Sequence, residues 1–245
     1  MVLSPEAQYS VAKQMTVSDG TLRNSTLLYS NYVNNISESN AMVLPVPFPQ
    51  TVQFIDLSGY KDDERFKILE IPYTESKGVC WARNKLQQNY SGEKYTLQLD
   101  SHHRFIQNWD EECINMVELL QSKGHKKPIL TSYIPSYNPK NDPTERIQIP
   151  WKMNFDRFIP EGAVFFLPAS IDNFKELTQP IPARFFSAHF CFTLGQFIEE
   201  VPYDPKYYFH GEEISLAVRA FTHGYDLFHP HKIVMWHEYT RQVRT

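Results

Sequence analysis

Short apolar runs alternate with longer polar or amphipathic stretches from about residue 52 onward. The short runs are rich in β-branched or aromatic residues and are bounded by turn formers, which is the pattern of β-strands. This pattern predicts five strands: VQFIDL (52–57), FKILEI (66–71), YTLQLD (95–100), ILTSYI (129–134) and AVFFLP (163–168).

The stretches between these runs predict helices over 10–15, 77–90, 109–123 and 211–224. Strands that alternate with helices indicate an α/β protein with a mostly parallel central sheet flanked by helices. The last two helices contain apolar residues at helical spacing: Ile114, Val117 and Leu120 in one, and Ile214, Val218 and Phe221 in the other.

The first 50 residues differ in composition from the rest of the chain. They are rich in Ser, Asn and Thr and then become apolar and punctuated by Pro in AMVLPVPFP. We therefore expect a divergent N-terminal segment over 1–50 and the main domain over 51–245.

The composition is that of a globular protein of 245 residues, with 42% hydrophobic and 21% charged residues. Lys and Arg number 24 against 28 Asp and Glu, which gives a net charge of −4 and argues against a nucleic-acid partner held by charge. The sequence has no secretory signal and no apolar run long enough to span a bilayer, so no membrane partner is expected. Three cysteines without CxxC spacing favour a cytoplasmic protein.

The predicted strand 95–100 ends in a carboxylate that is followed by two histidines. Ligands bind beyond the carboxyl ends of strands in α/β sheets, and side chains at i and i+2 point to one side. Asp100 and His102 are therefore a plausible half-site for Mn²⁺ or Mg²⁺. The alternative for this pair is the capping of a loop.

A third metal ligand must come from elsewhere in the chain, because two are too few for a stable site. His237 follows the apolar run IVMW (233–236) and is the best candidate, since it too would lie at a strand end. The alternative is a histidine with an ordinary structural role.

Several motifs in order resemble one enzyme family: GVCWARNKL, DSHHRFIQNWD, FHGEEISLAVRAFTHGYDLFHP and VMWHEYTR. Between about 65 and 241 the chain looks like the GlcNAc-transferases that modify hydroxyproline or Ser/Thr of proteins. These are retaining, UDP-sugar-dependent enzymes of the GT-A fold. They are similar to the polypeptide GalNAc-transferases, whose metal motif is also Asp-Ser-His.

The resemblance implies a role for each matching position. It assigns the metal ion to Asp100, His102 and His237, and it places Glu212 and Glu213 beside the donor sugar as catalytic carboxylates. It assigns nucleotide-sugar contacts to Gly78, Arg83, Asp100, Ser101, His210 and Gly211. The resemblance thus implies a Mn²⁺ (or Mg²⁺) cofactor, a UDP-sugar donor and a GT-A-like sheet.

The implied reaction moves GlcNAc, or a related hexose, from UDP to a hydroxyl of a protein or glycan. A divalent cation neutralises the diphosphate as it leaves, and a carboxylate stabilises the oxocarbenium-like transition state. Retention follows either from attack on the face that UDP leaves or from a covalent intermediate, and the sequence does not separate these routes.

Two departures from the family pattern are expected to matter. The family begins with a strand of the type F-x-S-I-A-(S/A)-Y-R-D that contacts uridine, and VQFIDLSGYKDD (52–63) is at best a loose substitute for it. The chain also ends soon after His237, so we expect a domain shortened at both ends. The alternative functions are a degenerate module that binds nucleotide sugar or carbohydrate without turnover, and a metal-dependent hydrolase.

Overall fold

The computed structural model describes residues 69, 75, 77–100, 103–160, 162–209 and 211–239, together with the backbone of Ser25–Leu28. Its strands are β1 (Ser25–Leu28), β2 (Tyr95–Leu99), β3 (His103–Phe105), β4 (Pro128–Thr131), β5 (Trp151–Phe158), β6 (Val164–Ser170), β7 (Ile181–Pro182), β8 (Phe190–Leu194), β9 (Asp226–His229) and β10 (Met235–His237). Its helices are α1 (Val79–Gln87), α2 (Trp109–Ser122), α3 (Phe197–Glu200) and α4 (Glu212–Thr222), with a 3₁₀ turn at Phe174–Glu176.

The strongest elements of the sequence pattern are confirmed. The predicted strands at 95–100, 129–134 and 163–168 overlap β2, β4 and β6, and the helices at 77–90, 109–123 and 211–224 overlap α1, α2 and α4. The helix at 10–15 and the strand at 52–57 lie outside the described residues, as does all of 66–71 except Leu69.

The main sheet is mixed, so the expected mostly parallel sheet is wrong. Its strand order is β1-β2-β8-β4-β9-β7. The β1–β2 and β4–β9 pairs are parallel, whereas β8 is antiparallel to both β2 and β4, and β7 is antiparallel to β9. Strand β8 lies between β2 and β4 and runs opposite to both, which makes the sheet mixed. The alternation of strands and helices along the sequence does not predict this arrangement.

Helices cover both faces of this sheet, as expected. Side chains alternate along each strand, so neighbours in β8 enter different cores. Phe190 and Phe192 pack with α2 around Trp109 and Val117. On the other face, Cys191 packs in a core with residues of α1 and α4 that include Val79, Ala82, Leu216 and Ala220.

The α4 helix does not bury the apolar series that indicated it. Val218 is 57% exposed and Phe221 is 74% exposed. The buried face consists instead of Glu212, Leu216, Ala217 and Ala220. The helix therefore meets the sheet through one leucine, two alanines and an acidic residue.

Two antiparallel ribbons accompany the main sheet. One pairs β10 with β3 and sets His237 opposite His103. The other is the hairpin of β5 and β6. Within the described ranges, no helix has the length and apolar character needed to cross a membrane. Strand β1 extends the sheet beside β2, and the division of the chain at residue 50 remains a prediction.

Candidate active site

The end of β2 meets the start of β8 at one edge of the main sheet. Because β8 runs against β2, Leu99 pairs with Phe190. Asp100 follows Leu99 and His189 precedes Phe190, and the backbone N–H of Asp100 donates to the carbonyl oxygen of His189 over 3.4 Å. The candidate site is built on this edge.

The carboxylate of Asp100 is held by an arginine from α1. Nη2 of Arg83 donates to Oδ1 of Asp100 over 2.9 Å, and the Arg83 side chain is only 7% exposed. Nη1 donates to the hydroxyl oxygen of Tyr203 over 3.4 Å. Burial alone would lower the pKa of Arg83, but Tyr203, Asp100 and Glu212 outweigh it and raise that pKa.

Tyr203 and Gln98 extend this polar contact along β2. Nε2 of Gln98 donates to the Tyr203 hydroxyl over 2.7 Å and to the carbonyl oxygen of Ala188 over 2.6 Å. The backbone N–H of Tyr203 donates to Oε1 of Gln87 in α1 over 2.7 Å. The buried polar groups around Arg83 are thus paired with one another, as a buried charge requires.

Two carboxylates open helix α4. Gly211 is its N-cap, with φ of 91°, and Glu212 and Glu213 form its first turn. Oε1 of Glu213 accepts a hydrogen bond of 2.8 Å from the backbone N–H of Ala188. Burial, with help from Glu212 and Asp100, raises the pKa of Glu213 to about 8 in spite of that hydrogen bond. Glu212 lies buried beside it.

Three histidine rings and a tyrosine line the other side of this edge. The ring centroids of His103 and His237 are 4.8 Å apart, as are those of His189 and His237. The Tyr239 ring lies 4.4 Å from His237. Nδ1 of His103 donates to the carbonyl oxygen of Asp100 over 2.9 Å. His237 therefore lies next to the loop that begins at Asp100.

The tautomer of His189 is fixed by its neighbours. Its Nε2 accepts a hydrogen bond of 3.1 Å from the backbone N–H of Ile134, so the proton resides on Nδ1. Nδ1 then donates to Oγ of Ser187 over 3.0 Å. His189 is buried and packs against His237.

Gly78 begins α1 at a point of very close approach. Its φ is 104°, and a Cβ there would lie 2.6 Å from the carbonyl oxygen of Tyr208. That oxygen accepts a hydrogen bond of 3.2 Å from the backbone N–H of Val79. Only glycine suits both conditions, which ties the start of α1 to the segment that leads into Gly211 and Glu212.

The predicted site residues divide into two groups. In the first group, electrostatic interactions link Asp100, Arg83, Glu212 and Glu213. The ring of His103 lies between Asp100 and His237, since it donates to the Asp100 carbonyl oxygen and packs against the His237 ring. The second group has no described position. Ser101, His102 and His210 lie outside the described residues.

The chemistry of the described donors suits a divalent cation. Asp100 offers a partly exposed carboxylate and His237 an imidazole, the pair of ligand types that Mn²⁺ accepts. No three His, Cys, Asp or Glu side chains among the described residues are arranged to hold a metal ion. His102, the third predicted ligand, was outside that set.

Sequence reasoning did not single out Tyr203, Gln98 or Tyr239. Their partners lie far away in the chain, since Gln98 and Tyr203 are 105 residues apart. His103 entered the prediction only as the second of the two histidines after Asp100, and its alternation with Phe105 in β3 was the available signal.

A family model described as Glycosyltransferase (GlcNAc) matches residues 11–245. The match defines the class of protein as a glycosyltransferase, which confirms the class that the motifs indicated. The chain belongs to the GlcNAc glycosyltransferase family, since the model covers nearly the whole sequence.

Among solved structures, the crystal structure of GalNAc-T7 with UDP, GalNAc and Mn²⁺ matches with a TM-score of 0.49 and 16% sequence identity. The match covers 66% of this chain and 30% of that chain, so this chain spans less than a third of GalNAc-T7. A likeness of this size assigns neither a fold nor a ligand. A comparison with curated protein sequences finds no significant match.

Proposed function

We propose that the protein is a metal-dependent, retaining glycosyltransferase of GT-A type, which moves GlcNAc or a related hexose from a UDP-sugar to a hydroxyl. The acceptor is a protein or glycan, with hydroxyproline or Ser/Thr as the first candidates. The observation that carries the proposal is that Glu213 and Asp100 bind the adjacent residues Ala188 and His189 at one sheet edge, in a chain that belongs to a glycosyltransferase family.

Asp100, His102 and His237 would hold Mn²⁺ or Mg²⁺. When bound, the cation supplies charge neutralisation to the diphosphate of the leaving UDP. The protein's own contribution is a sheet edge that brings the Asp100 loop and His237 together through His103. In this proposal the nucleotide sugar contacts Gly78, Ser101, His210 and Gly211.

The two carboxylates of α4 take different roles in this proposal. Glu212 faces the sugar and stabilises positive charge at the anomeric carbon. Glu213, whose pKa is raised to about 8 by burial and by Glu212, contacts a sugar hydroxyl. Ala188 fixes Glu213 from the other side, through its backbone N–H.

A panel of UDP-sugars tests the proposal, with release of UDP measured in the presence of Mn²⁺ and again with EDTA. We expect release with UDP-GlcNAc or a related hexose donor that EDTA abolishes and that both Asp100→Ala and His102→Ala remove. UDP binding without release from any donor, in the presence of candidate acceptors, would instead identify a degenerate binding module. Hydrolysis of unrelated phosphoesters without sugar transfer would identify a hydrolase.

A further inference from the structure

We propose that Arg83 is a positioning residue for Asp100 and does not bind the nucleotide. The inference rests on the proposed function, because it concerns the carboxylate that would hold the cation. It replaces the nucleotide contact that the family resemblance implies for Arg83. The buried guanidinium of Arg83 reaches Asp100 from helix α1, and this position is the reason for the new assignment.

Both terminal nitrogens of the Arg83 guanidinium donate to groups inside the protein. Nη2 binds Oδ1 of Asp100 and Nη1 binds the Tyr203 hydroxyl. The guanidinium carbon also lies 5.4 Å from the centre of the Tyr203 ring, so the aromatic ring covers one face of the guanidinium group. A phosphate-binding arginine must present its fork to the ligand, and a side chain that is 7% exposed and bound on two sides does not.

Arg83 also interacts electrostatically with the other acidic residues of the site. Asp100 and Glu212 both act on Arg83 electrostatically, and Arg83 in turn acts on Glu213. Acidic groups crowded at one sheet edge disfavour ionisation of one another, and a buried guanidinium beside them offsets part of that cost. Arg83 therefore holds the Asp100 side chain in a fixed direction through its 2.9 Å bond to Oδ1.

A carboxylate held in this way is suited to a metal. Asp100 has two carboxylate oxygens, so a bond from Arg83 to Oδ1 is compatible with a cation at Oδ2. Residues that orient a metal ligand from behind typically contribute 10–100-fold to metal affinity. Loss of Arg83 should therefore weaken the cation site and leave the nucleotide contacts in place.

The test compares wild type with Arg83→Lys and Arg83→Met. Mn²⁺ affinity is measured at saturating UDP by the loss of the free Mn²⁺ signal in electron paramagnetic resonance, and UDP affinity is measured in EDTA by calorimetry. We expect Mn²⁺ binding to weaken about 10–100-fold in Arg83→Met and by a smaller factor in Arg83→Lys, which keeps the charge but loses the fork. UDP affinity in EDTA should stay unchanged.

The opposite pattern would overturn the inference: weaker UDP binding in EDTA with an unchanged Mn²⁺ affinity. Lys127→Met is the matched control, because Lys127 pairs with Glu200 beyond the opposite end of the sheet. If Arg83→Met does not fold, Arg83→Lys replaces it in the test. A folded Arg83→Lys with the Mn²⁺ affinity of wild type would also overturn the inference. Failure of the wild-type protein to bind Mn²⁺ in the presence of UDP would overturn the proposed metal dependence. A failure of the Arg83 inference alone would appear only in the variants, so the two results are distinguishable.

Discussion

The carboxylate of Glu213 accepts a 2.8 Å hydrogen bond from the backbone N–H of Ala188. This bond joins the first turn of α4 to the segment before β8, while the carbonyl oxygen of the same Ala188 receives Gln98 from β2. One peptide segment thus connects a carboxylate of the helix with the strand that ends at Asp100. The site is held together by backbone contacts as well as by side chains.

Glu213 should make the stability of the protein depend on pH. Its pKa is raised by burial from 4.5 to about 8, so the stability that depends on its protonation is fully present below pH 4.5 and is lost progressively as the pH rises from 4.5 to about 8. Glu213→Gln keeps the acceptor for Ala188 and cannot ionise. We expect the variant to exceed wild type in free energy of unfolding by about 2–4 kcal/mol at pH 8.5, with little difference at pH 4.5.

Urea unfolding at the two pH values measures this difference. A constant gap between Glu213→Gln and wild type at both pH values would show that the carboxyl group titrates normally in the folded protein.

Gly78→Ala should destabilise the protein more than the same change at another glycine of positive φ. Gly92 has φ of 95° with nothing within 4 Å of a new Cβ, so Gly92→Ala carries only backbone strain of about 1 kcal/mol. At Gly78 the new Cβ also meets the carbonyl oxygen of Tyr208. We expect a loss of about 3 kcal/mol or more, measured by thermal unfolding. Equal losses of stability in Gly78→Ala and Gly92→Ala would mean that the Tyr208 segment moves away from the new Cβ at little cost.

Removal of the Asp100 side chain should cost stability as well as turnover. Asp100→Ala leaves the buried Arg83 guanidinium without its carboxylate, and we expect a loss of about 2–4 kcal/mol in free energy of unfolding. Asp100→Asn keeps an oxygen for Nη2 of Arg83 and should lose less stability, yet it should lose the Mn²⁺-dependent turnover equally. Chemical unfolding and UDP release, measured on both variants, separate the two roles of the residue.

Glu212→Gln should lower turnover far more than it weakens UDP binding. A carboxylate that faces the sugar acts mainly when positive charge develops in the transition state, so its loss appears in kcat. We expect a fall of roughly 100-fold in kcat, with a UDP affinity close to that of wild type. Parallel losses in kcat and in UDP affinity would instead indicate that Glu212 only supports the fold of α4.

The two faces of α4 should respond differently to truncation. Leu216 is fully buried between the helix and the sheet, so Leu216→Ala should cost about 2–5 kcal/mol in free energy of unfolding. Phe221 is exposed, and Phe221→Ala should stay within about 0.5 kcal/mol of wild type. A large loss at Phe221, measured by urea unfolding, would reveal a covering contact on that face.

The sequence pattern was sufficient for local elements and insufficient for their arrangement. The apolar series Ile114, Val117 and Leu120 predicted α2 and is buried as expected. The comparable series in α4 is largely exposed, because the helix packs through Leu216 and small alanines. Periodicity identifies a helix, but the face that it buries depends on the surface that it meets.

The site shows the same division between local and distant information. Asp100 at the end of β2 follows from strand periodicity, and so does its position at a sheet edge. The bond from Arg83 to Asp100 and the approach of His189 to His237 depend on how α1 and β8 pack. The antiparallel direction of β8 is set by such distant contacts, which is why the sheet expected from the sequence differed from the one formed.

The position of β8 has a consequence for the synthesis of the chain. β8 separates β2 from β4 in the sheet, yet Gln98 of β2 and Ala188 beside β8 are 90 residues apart in sequence. While the ribosome has not yet released β8, β2 and β4 each lack a neighbour and present open hydrogen-bonding edges. A nascent chain of this protein should therefore depend on chaperones until β8 emerges, and truncation before residue 190 should yield aggregates.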